Sequence, residues 1–278
     1  MSIVRWFTTF WHRLIQSREH RRLKKRLILQ LRNRDNNLAL QAIDDLRTQG
    51  WLTDGNLQFV NLNSANLEGA NLSEGNLRGA LLPNANLRRV NLRGANLQMS
   101  NLYYANLEGA NLEEADLQGI VRLNIANLQE ANLCRANLDD AVLGGAQLQG
   151  AVLEGASLQR ANLSDADLNH ANLRGAKLHL AQFVAANLNQ ADLSATDMSS
   201  ANLAEANLRQ ANLQGANLHL ANLRDAVLHM ADLQDVTGIT IHQLRQCQTL
   251  LGAVLPDGKR LPYNDTWRDV LESWSTAK

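Results

Sequence analysis

The sequence predicts an all-β solenoid, because a five-residue repeat runs through about two thirds of the 278-residue chain. From residue 56 to residue 235, Leu forms the centre of 34 of 36 units, and Phe183 and Met198 take its place in the other two. Ala stands two residues before the centre in 29 of the 36 units. One extra residue near Ile120 interrupts the period once. A repeat held over this length indicates one structural unit stacked many times.

A period of five suits neither standard element of secondary structure. On an α-helix five residues advance by about 140° beyond a full turn, so the leucines would spiral around the axis. On a flat strand the side chains alternate between two sides, so every second Leu would face water. A backbone that turns a corner once per unit lets every Leu point to a common axis, with the small Ala at the crowded bend. The Asn or Asp that usually precedes the Leu can then bond to the backbone of the turn.

The motif, seen in ANLQGANLHLANLRDA over residues 211–226, resembles the A(N/D)LXX motif of the pentapeptide-repeat family. The resemblance implies a right-handed quadrilateral β-helix with four units per coil and the centre Leu and preceding Ala inside. Thirty-six units then make about nine coils, which at a strand spacing of about 4.8 Å give a rod roughly 43 Å tall. The extra residue near Ile120 is expected as a bulge at one corner. Gyrase-protecting members often carry long loops in the coil, and no such loop interrupts this repeat.

The solenoid is expected to have helical segments at both ends, because an open stack would expose apolar, unpaired edges. Four segments are therefore predicted: a basic amphipathic helical arm over 1–35, an N-terminal capping helix over 36–54, the β-helix over 55–235, and a C-terminal cap and tail over 236–278. In the cap, Thr240 and Gln243 form a capping box for a helix through about Leu250. The tail from Tyr263 onward is predicted as an amphipathic helix, and its apolar side could join two chains in a homodimer.

Charge is divided unevenly along the chain, although 27 basic and 27 acidic residues cancel overall. The first 54 residues hold eleven Lys and Arg against five acids, a net charge of +6. Residues 55–235 hold eleven against eighteen, a net charge of −7, so a basic arm is joined to an acidic rod. Two Cys predict no disulfide framework, and neither a membrane-spanning run nor a secretory signal is recognised. A cytoplasmic protein is expected, either soluble or peripheral to a membrane.

The arm carries more apolar surface than an end cap needs. Apolar side chains recur at helical spacing over residues 3–15, and a basic run follows directly, a composition typical of a helix lying on anionic lipid. The predicted docking residues are Trp6, Phe7, Phe10, Trp11, Arg18, Arg21, Arg22, Lys24, Lys25 and Arg26. Packing of the apolar stripe on the rod or on a second subunit is the alternative. Nucleic-acid binding is the weaker expectation, since the acidic rod would repel phosphates.

No residue pattern for catalysis, metal binding or a cofactor stands out, so the sequence does not predict an enzyme. The seven His are scattered. Two of them, His179 and His219, are expected two coils apart, roughly 10 Å, which is too far to share a metal. Outward apolar pairs are predicted instead as contact points for an unknown protein partner, namely Tyr103 with Tyr104 and Leu180 with Leu220.

Two functions from different classes remain open. The first is a non-enzymatic protein-interaction scaffold, tethered by its arm to a membrane surface or to a partner. The second, which the resemblance implies for some family members, is a DNA-mimic modulator of gyrase or another DNA-handling protein. The net charge of the rod permits the mimic, but the repeat interleaves opposite charges: a spacing of 20 residues, one coil, places Arg88 near Glu108 and Arg93 near Glu113.

Overall fold

The repeat folds into stacked four-sided coils in a computed structural model that describes residues 18–33 and 35–275. From Asn61 to Asn217, the residue before each centre makes a single parallel bridge to the equivalent residue of the next coil, 20 residues later, as between Asn66 and Asn86. Across the insertion the spacing becomes 21, as between Asn101 and Arg122. Because four units span 20 residues, each coil has four sides, which confirms the predicted quadrilateral β-helix.

The backbone hydrogen bonds explain why the unit prefers Asn or Asp before its centre. In the unit 172–176, four of the five N–H groups donate to backbone carbonyls, three of them to residues in neighbouring coils. The fifth, that of Arg174, donates to Oδ1 of Asn172 at 3.0 Å. The Asn side chain therefore satisfies the one backbone donor that the coils leave over, as Asx turns do.

A left-handed residue makes every corner of the coil. In all 36 units the residue two positions after the centre has a positive φ, from 52° at Arg89 to 90° at Gly119. Glycine adopts this conformation without strain and other residues adopt it less readily. The fold nevertheless imposes it on Met99, Tyr104 and Leu180. Side chains at this position project outward from the corners.

The interior of the rod is filled by the centre residues and by the Ala two positions before them. The centre leucines are at most 2% exposed, and Phe183 and Met198 are fully buried in the same position. The predicted inward orientation is confirmed. Burial of each Leu contributes about 1.5–3 kcal/mol relative to exposure, so the repeated interior is the main source of stability.

Two helices pack against the first coils of the rod. We label the helical residues 18–30 α1 and the helix Asn36–Thr48 α2. Asp35 begins α2 by accepting a hydrogen bond from the backbone N–H of Asn37 at 3.0 Å. Ala42, Ile43 and Leu46 of α2 are buried in one cluster with the coil leucines, and so is Leu27 of α1. Arg47 of α2 donates to the carbonyl of Asn71 at 2.6 Å.

The first predicted unit is only partly regular. Asn56 makes no bridge among the described residues, and the ladder begins one unit later, at Asn61. The N–H of Asn76 donates to the carbonyl of Leu52 at 2.8 Å. In the regular register it would donate to Gly55 instead. The chain arriving from α2 therefore occupies part of the lowest coil in place of the first unit.

At the other end the predicted helix is shorter than expected. The capping box of Thr240 and Gln243 is present, but helix α3 spans only Ile241–Arg245. The prediction that it continues to Leu250 is wrong, because Thr249 pairs with Val227 of the coil below and Leu250 is fully buried. The Gln243 side chain donates to two carbonyls of the last coil, at 3.0 and 2.9 Å, which holds α3 across one side of the rod.

The tail folds back onto this end of the rod. Helix α4, Trp267–Ser275, contacts α3 through an ion pair between Arg245 and Glu272. Trp274 donates from Nε1 to Asp257 at 2.8 Å, and Trp267 and Leu271 are buried. Three of the apolar side chains expected to join two chains, Trp267, Leu271 and Trp274, are therefore buried within one chain, whereas Tyr263 stays exposed.

Leu173→Asp should destabilise the rod strongly, because Leu173 is fully buried in the middle of the stack and the carboxylate would lack a partner. The expected loss is at least about 3 kcal/mol of the free energy of unfolding, measured by thermal or urea unfolding. The matched control is Arg174→Asp at the neighbouring exposed position, with an expected change within about 0.5 kcal/mol. Equal stability of the two variants would contradict the inward assignment.

Cys247 should resist thiol reagents until the C-terminal end opens. Burial raises the pKa of Cys247 to about 12, so almost no reactive thiolate forms near pH 8. In a Cys134→Ser variant, an aromatic disulfide reagent should label the folded protein far more slowly than the unfolded protein. Fast labelling of Cys247 in that folded variant would show that this end is not closed.

Candidate protein-interaction surface

One side of the rod carries two unusual outward residues next to the insertion. Its bridging residues run from Asn61 through Leu81, Asn101 and Arg122 to Asn222. The inserted residue lies at the corner that leads to Arg122, so we call this side the bulge face. In most units the position before the centre carries Asn or Asp, whereas the bulge face has Leu81 and Arg122 there.

The insertion pushes one apolar side chain outward and leaves the interior intact. The N–H of Val121 donates to the carbonyl of Gly119 at 2.7 Å, which closes a tight turn around Ile120. Val121 takes the inward place of the usual Ala and is fully buried, whereas Ile120 is 70% exposed. The predicted corner bulge is therefore observed, and its outermost side chain is hydrophobic.

Exposed apolar side chains cluster around the bulge over three consecutive coils. We define the apolar patch as six side chains, each 39–70% exposed: Leu81, Met99, Tyr103, Tyr104, Ile120 and Ile125. The two tyrosine rings meet edge to face with centroids 4.4 Å apart. Hydrogen bonding to Tyr104 raises the pKa of Tyr103. Contiguous apolar surface of this kind is typical of binding sites.

A groove of about 350 Å³ lies within the patch, between Leu81, Met99, Ile120 and Arg122. Leu81 can replace Asn here because the residue two positions later is Pro83, which has no N–H for an Asn side chain to bond. Leu81 in place of Asn therefore leaves no backbone N–H group without an acceptor.

The second predicted pair does not join this patch. Leu180 and Leu220 lie on the same corner of the rod as Met99, but they are two coils apart with Ser200 between them. Below Leu180 the corner is occupied by an ion pair, in which Arg160 donates twice to Asp140 at 2.7 Å. Arg160 lowers the pKa of Asp140. The structure thus brings the tyrosines together with Leu81 and leaves the two leucines as separate exposed residues.

Sequence reasoning missed three members of the patch and its neighbouring cation. The outward pairs predicted from the sequence do not include Met99, Ile120, Ile125 or Arg122. Their proximity depends on the 21-residue spacing that the insertion creates, since residues one coil apart elsewhere within residues 61–237 differ by 20. Counting through the insertion would have placed Met99 beside Ile120.

Ion pairs between coils occupy the other sides as predicted. Arg88 contacts Glu108 at 2.8 Å and Arg93 contacts Glu113 at 3.7 Å. Such partly exposed pairs contribute about 0–1 kcal/mol each. Arg122 differs, because its ladder neighbours are Asn101 and Val142 and it forms no ion pair within residues 18–33 and 35–275.

The basic run of the arm lies on helix α1. Arg18, Arg22 and Lys25 are exposed on one stripe of α1, and Arg21 and Arg26 are exposed beside it. Lys24 points instead to the segment between α2 and the rod, where its Nζ lies 2.6 Å from Asp54 and 4.6 Å from the ring centre of Trp51. The predicted aromatic docking residues, Trp6, Phe7, Phe10 and Trp11, lie outside the described residues. None of the described helices is both long and apolar enough to cross a membrane.

Two features of the described residues bear on metal-dependent and nucleophilic chemistry. Among them no group of three or more His, Cys, Asp or Glu side chains could hold a metal ion. The coils do bring His179 and Ser199 together, with Nδ1 and Oγ 2.9 Å apart. However, Asp197 accepts a hydrogen bond from the N–H of Ser199, whereas a catalytic triad needs the carboxylate on the histidine.

Comparison with known protein families identifies the repeat. The family model described as pentapeptide repeats matches the chain in eight copies, over residues 52–89, 74–103, 82–119, 126–165, 161–200 and 201–237. These ranges leave out residues 120–125, where the insertion lies. No protein with a curated description matches the sequence.

Several solved structures are similar to this chain. HetL, a pentapeptide repeat protein involved in heterocyst differentiation regulation in the cyanobacterium Nostoc sp. strain PCC 7120, is 32% identical over 79% of this chain and 98% of its own, with a TM-score of 0.30. A pentapeptide repeat protein of the Arabidopsis thaliana thylakoid lumen is 30% identical over 47% of this chain and 90% of its own, with a TM-score of 0.33. QnrB1, a plasmid-mediated fluoroquinolone resistance protein, is 17% identical over 66% of this chain and 94% of its own, with a TM-score of 0.30.

Proposed function

The chain belongs to the pentapeptide-repeat family, and from this membership we propose that it works as a non-enzymatic protein-interaction scaffold. The observation that carries the proposal is the apolar patch on the bulge face. Its side chains are exposed, and the interior is already filled by the centre residues and the Ala beside them. An apolar surface that the fold does not need for its own stability is best explained by a protein partner.

The proposed scaffold is a rod of about nine coils with helical caps at both ends. The buried side chains of α1 and α2 support a cap at the first coil, and α3 and α4 support one at the last. Capped ends keep the rods from stacking on one another through their edges. The sides of the rod are then the surfaces available to a partner.

The arm is the proposed tether, and it would hold the scaffold at an anionic membrane surface. The exposed cations of α1 support this, because each basic residue near an anionic bilayer contributes about 1 kcal/mol. The aromatic residues that precede them would add apolar contact with the lipid. A cytoplasmic location is part of the proposal and agrees with two Cys that remain free thiols.

Reversing three charges on α1 should release the protein from anionic vesicles. The variant Arg18→Glu/Arg22→Glu/Lys25→Glu should bind phosphatidylglycerol-containing vesicles about a hundredfold more weakly than the wild type, because three basic contacts are lost. Vesicle flotation at several salt concentrations measures the affinity, and wild-type binding should fall as salt rises.

The control carries the same change in net charge on the rod, as Arg89→Glu/Arg174→Glu/Arg209→Glu at exposed positions. It should float with the vesicles as the wild type does. Flotation of the α1 variant to the same extent as the wild type would remove the membrane tether from the proposal. Equal losses in both variants would mean that only overall charge matters.

The alternative is a DNA mimic that modulates gyrase or another DNA-handling protein, and the net charge of −7 over residues 55–235 favours it. Against it stand ion pairs such as Arg88 with Glu108, which break up the rows of negative charge that a mimic needs. A supercoiling assay with purified gyrase separates the two functions. The scaffold predicts no inhibition at micromolar protein, and inhibition at submicromolar protein would establish the mimic.

A further inference from the structure

We propose that the groove beside the bulge binds an acidic segment of a partner protein, which inserts an apolar side chain between Met99 and Ile120 and places a carboxylate on Arg122. The proposal rests on the scaffold function and names the chemistry of the partner. It assigns a role to the single insertion in the repeat.

The size and lining of the groove fit one or two side chains of a protein segment. Its volume of about 350 Å³ is at the lower end of the range of ligand clefts, roughly 300–1,000 Å³. Leu81, Met99 and Ile120 form its apolar wall, and Tyr103 and Tyr104 extend the surface along the same coil. Tyr, Met and Arg are the residues that protein interfaces favour, and buried Tyr and Arg contacts often dominate the binding energy.

The charges around the groove select a negative partner. Arg122 lines the groove without an ion pair among the described residues, and Arg78 reaches its edge, with Nη2 3.5 Å from Sδ of Met99. Asp116 belongs to the same coil as the bulge, but its carboxylate already accepts a hydrogen bond from Gln98 at 2.7 Å. None of the six residues of the patch is acidic. A carboxylate from a partner would therefore meet two cations, while the acids one coil above the bulge, Asp139 and Asp140, already accept hydrogen bonds from Ser157 and Arg160.

The ladder N–H groups of the bulge face are already paired, so a partner is recognised mainly through side chains. The N–H groups of Arg122, Leu123 and Val142 donate to carbonyls of adjacent coils at 3.1, 2.8 and 2.9 Å. A partner strand cannot add to this surface as it would to a sheet edge. The selectivity of the site is thus set by apolar contact and charge.

Two other occupants fit the charges less well. The chain's own arm is basic, with a net charge of +6 over residues 1–54, and it would bring like charges to Arg78 and Arg122. A second copy that docks patch to patch would bury apolar surface but supply no carboxylate from the patch. Both occupants are outcomes of the experiment below.

The test selects ligands for the full chain from a displayed library of short random peptides. We expect enriched peptides to share an aromatic or aliphatic residue next to Asp or Glu. Synthetic peptides of that consensus should bind the wild type, and Arg122→Glu should instead enrich peptides that carry Lys or Arg. This reversal reports directly on the charge contact, since a purely structural role of Arg122 would not change the sign of the preference.

Variants that restore the repeat test the groove without threatening the fold. Leu81→Asn/Arg122→Asn introduces the residue usual at this position, and deletion of Ile120 restores the five-residue period. Both should weaken consensus-peptide binding by about tenfold or more, with unchanged thermal unfolding. The matched control, Val152→Asn/Lys177→Asn, replaces an apolar residue and a cation at the same position of the unit on other sides. It should bind within about twofold of the wild type.

All of the remaining outcomes except the last overturn the proposal. Enrichment of basic aromatic peptides would identify the arm as the occupant, and a dimer in sedimentation that Leu81→Asn/Arg122→Asn dissociates would identify a second copy. No consensus, or a consensus that binds both restoring variants as it binds the wild type, would show that the groove is not a site. If the wild type and the restoring variants retain the same crosslinked partners from a lysate, the groove is rejected as the binding site but the scaffold function is not. If peptides bind as expected but the wild type captures no protein from the lysate, the scaffold function is rejected and the groove is not.

Discussion

The pattern of backbone hydrogen bonds that links the five-residue units of neighbouring coils is the constraint on which the rest of the structure depends. A left-handed residue turns every corner, three N–H groups tie the unit to its neighbours, and an Asn or Asp before the centre takes up the last donor. Because these bonds involve the backbone and one polar side chain, the other outward side chains contribute little to the stability of the fold. Ion pairs, glycines and apolar residues can be exchanged there at little cost in stability.

The interior of the rod could be predicted from the sequence because one rule, repeated 36 times, decides which residues are buried. The ends could not be predicted as well, since no repetition supports them. Thr240 and Gln243 correctly indicate where α3 begins, but nothing local to Leu250 distinguishes a helical residue from a centre residue of the coil. Its burial depends on Thr249 meeting Val227 after a detour through the helix.

The proposed interaction surface was predictable only where its residues are neighbours in the chain. Tyr103 and Tyr104 are neighbours in the chain, so their shared exposure could be read directly. The groove beside them combines residues from three coils, and its geometry follows from a change of spacing at one corner. Lys24 illustrates a different limit: its partner Asp54 is 30 residues away and belongs to a segment outside the repeat, so no spacing rule could reveal the ion pair.

The bulge shows how the solenoid absorbs an added residue. The turn around Ile120 contains the extra length, Val121 returns to the interior, and every later unit keeps its side of the rod. This corner is consequently a natural insertion point for protein engineering. An epitope tag or reporter peptide could be grafted there and displayed at a known height on a rigid support, while the residues above and below continue in their own columns.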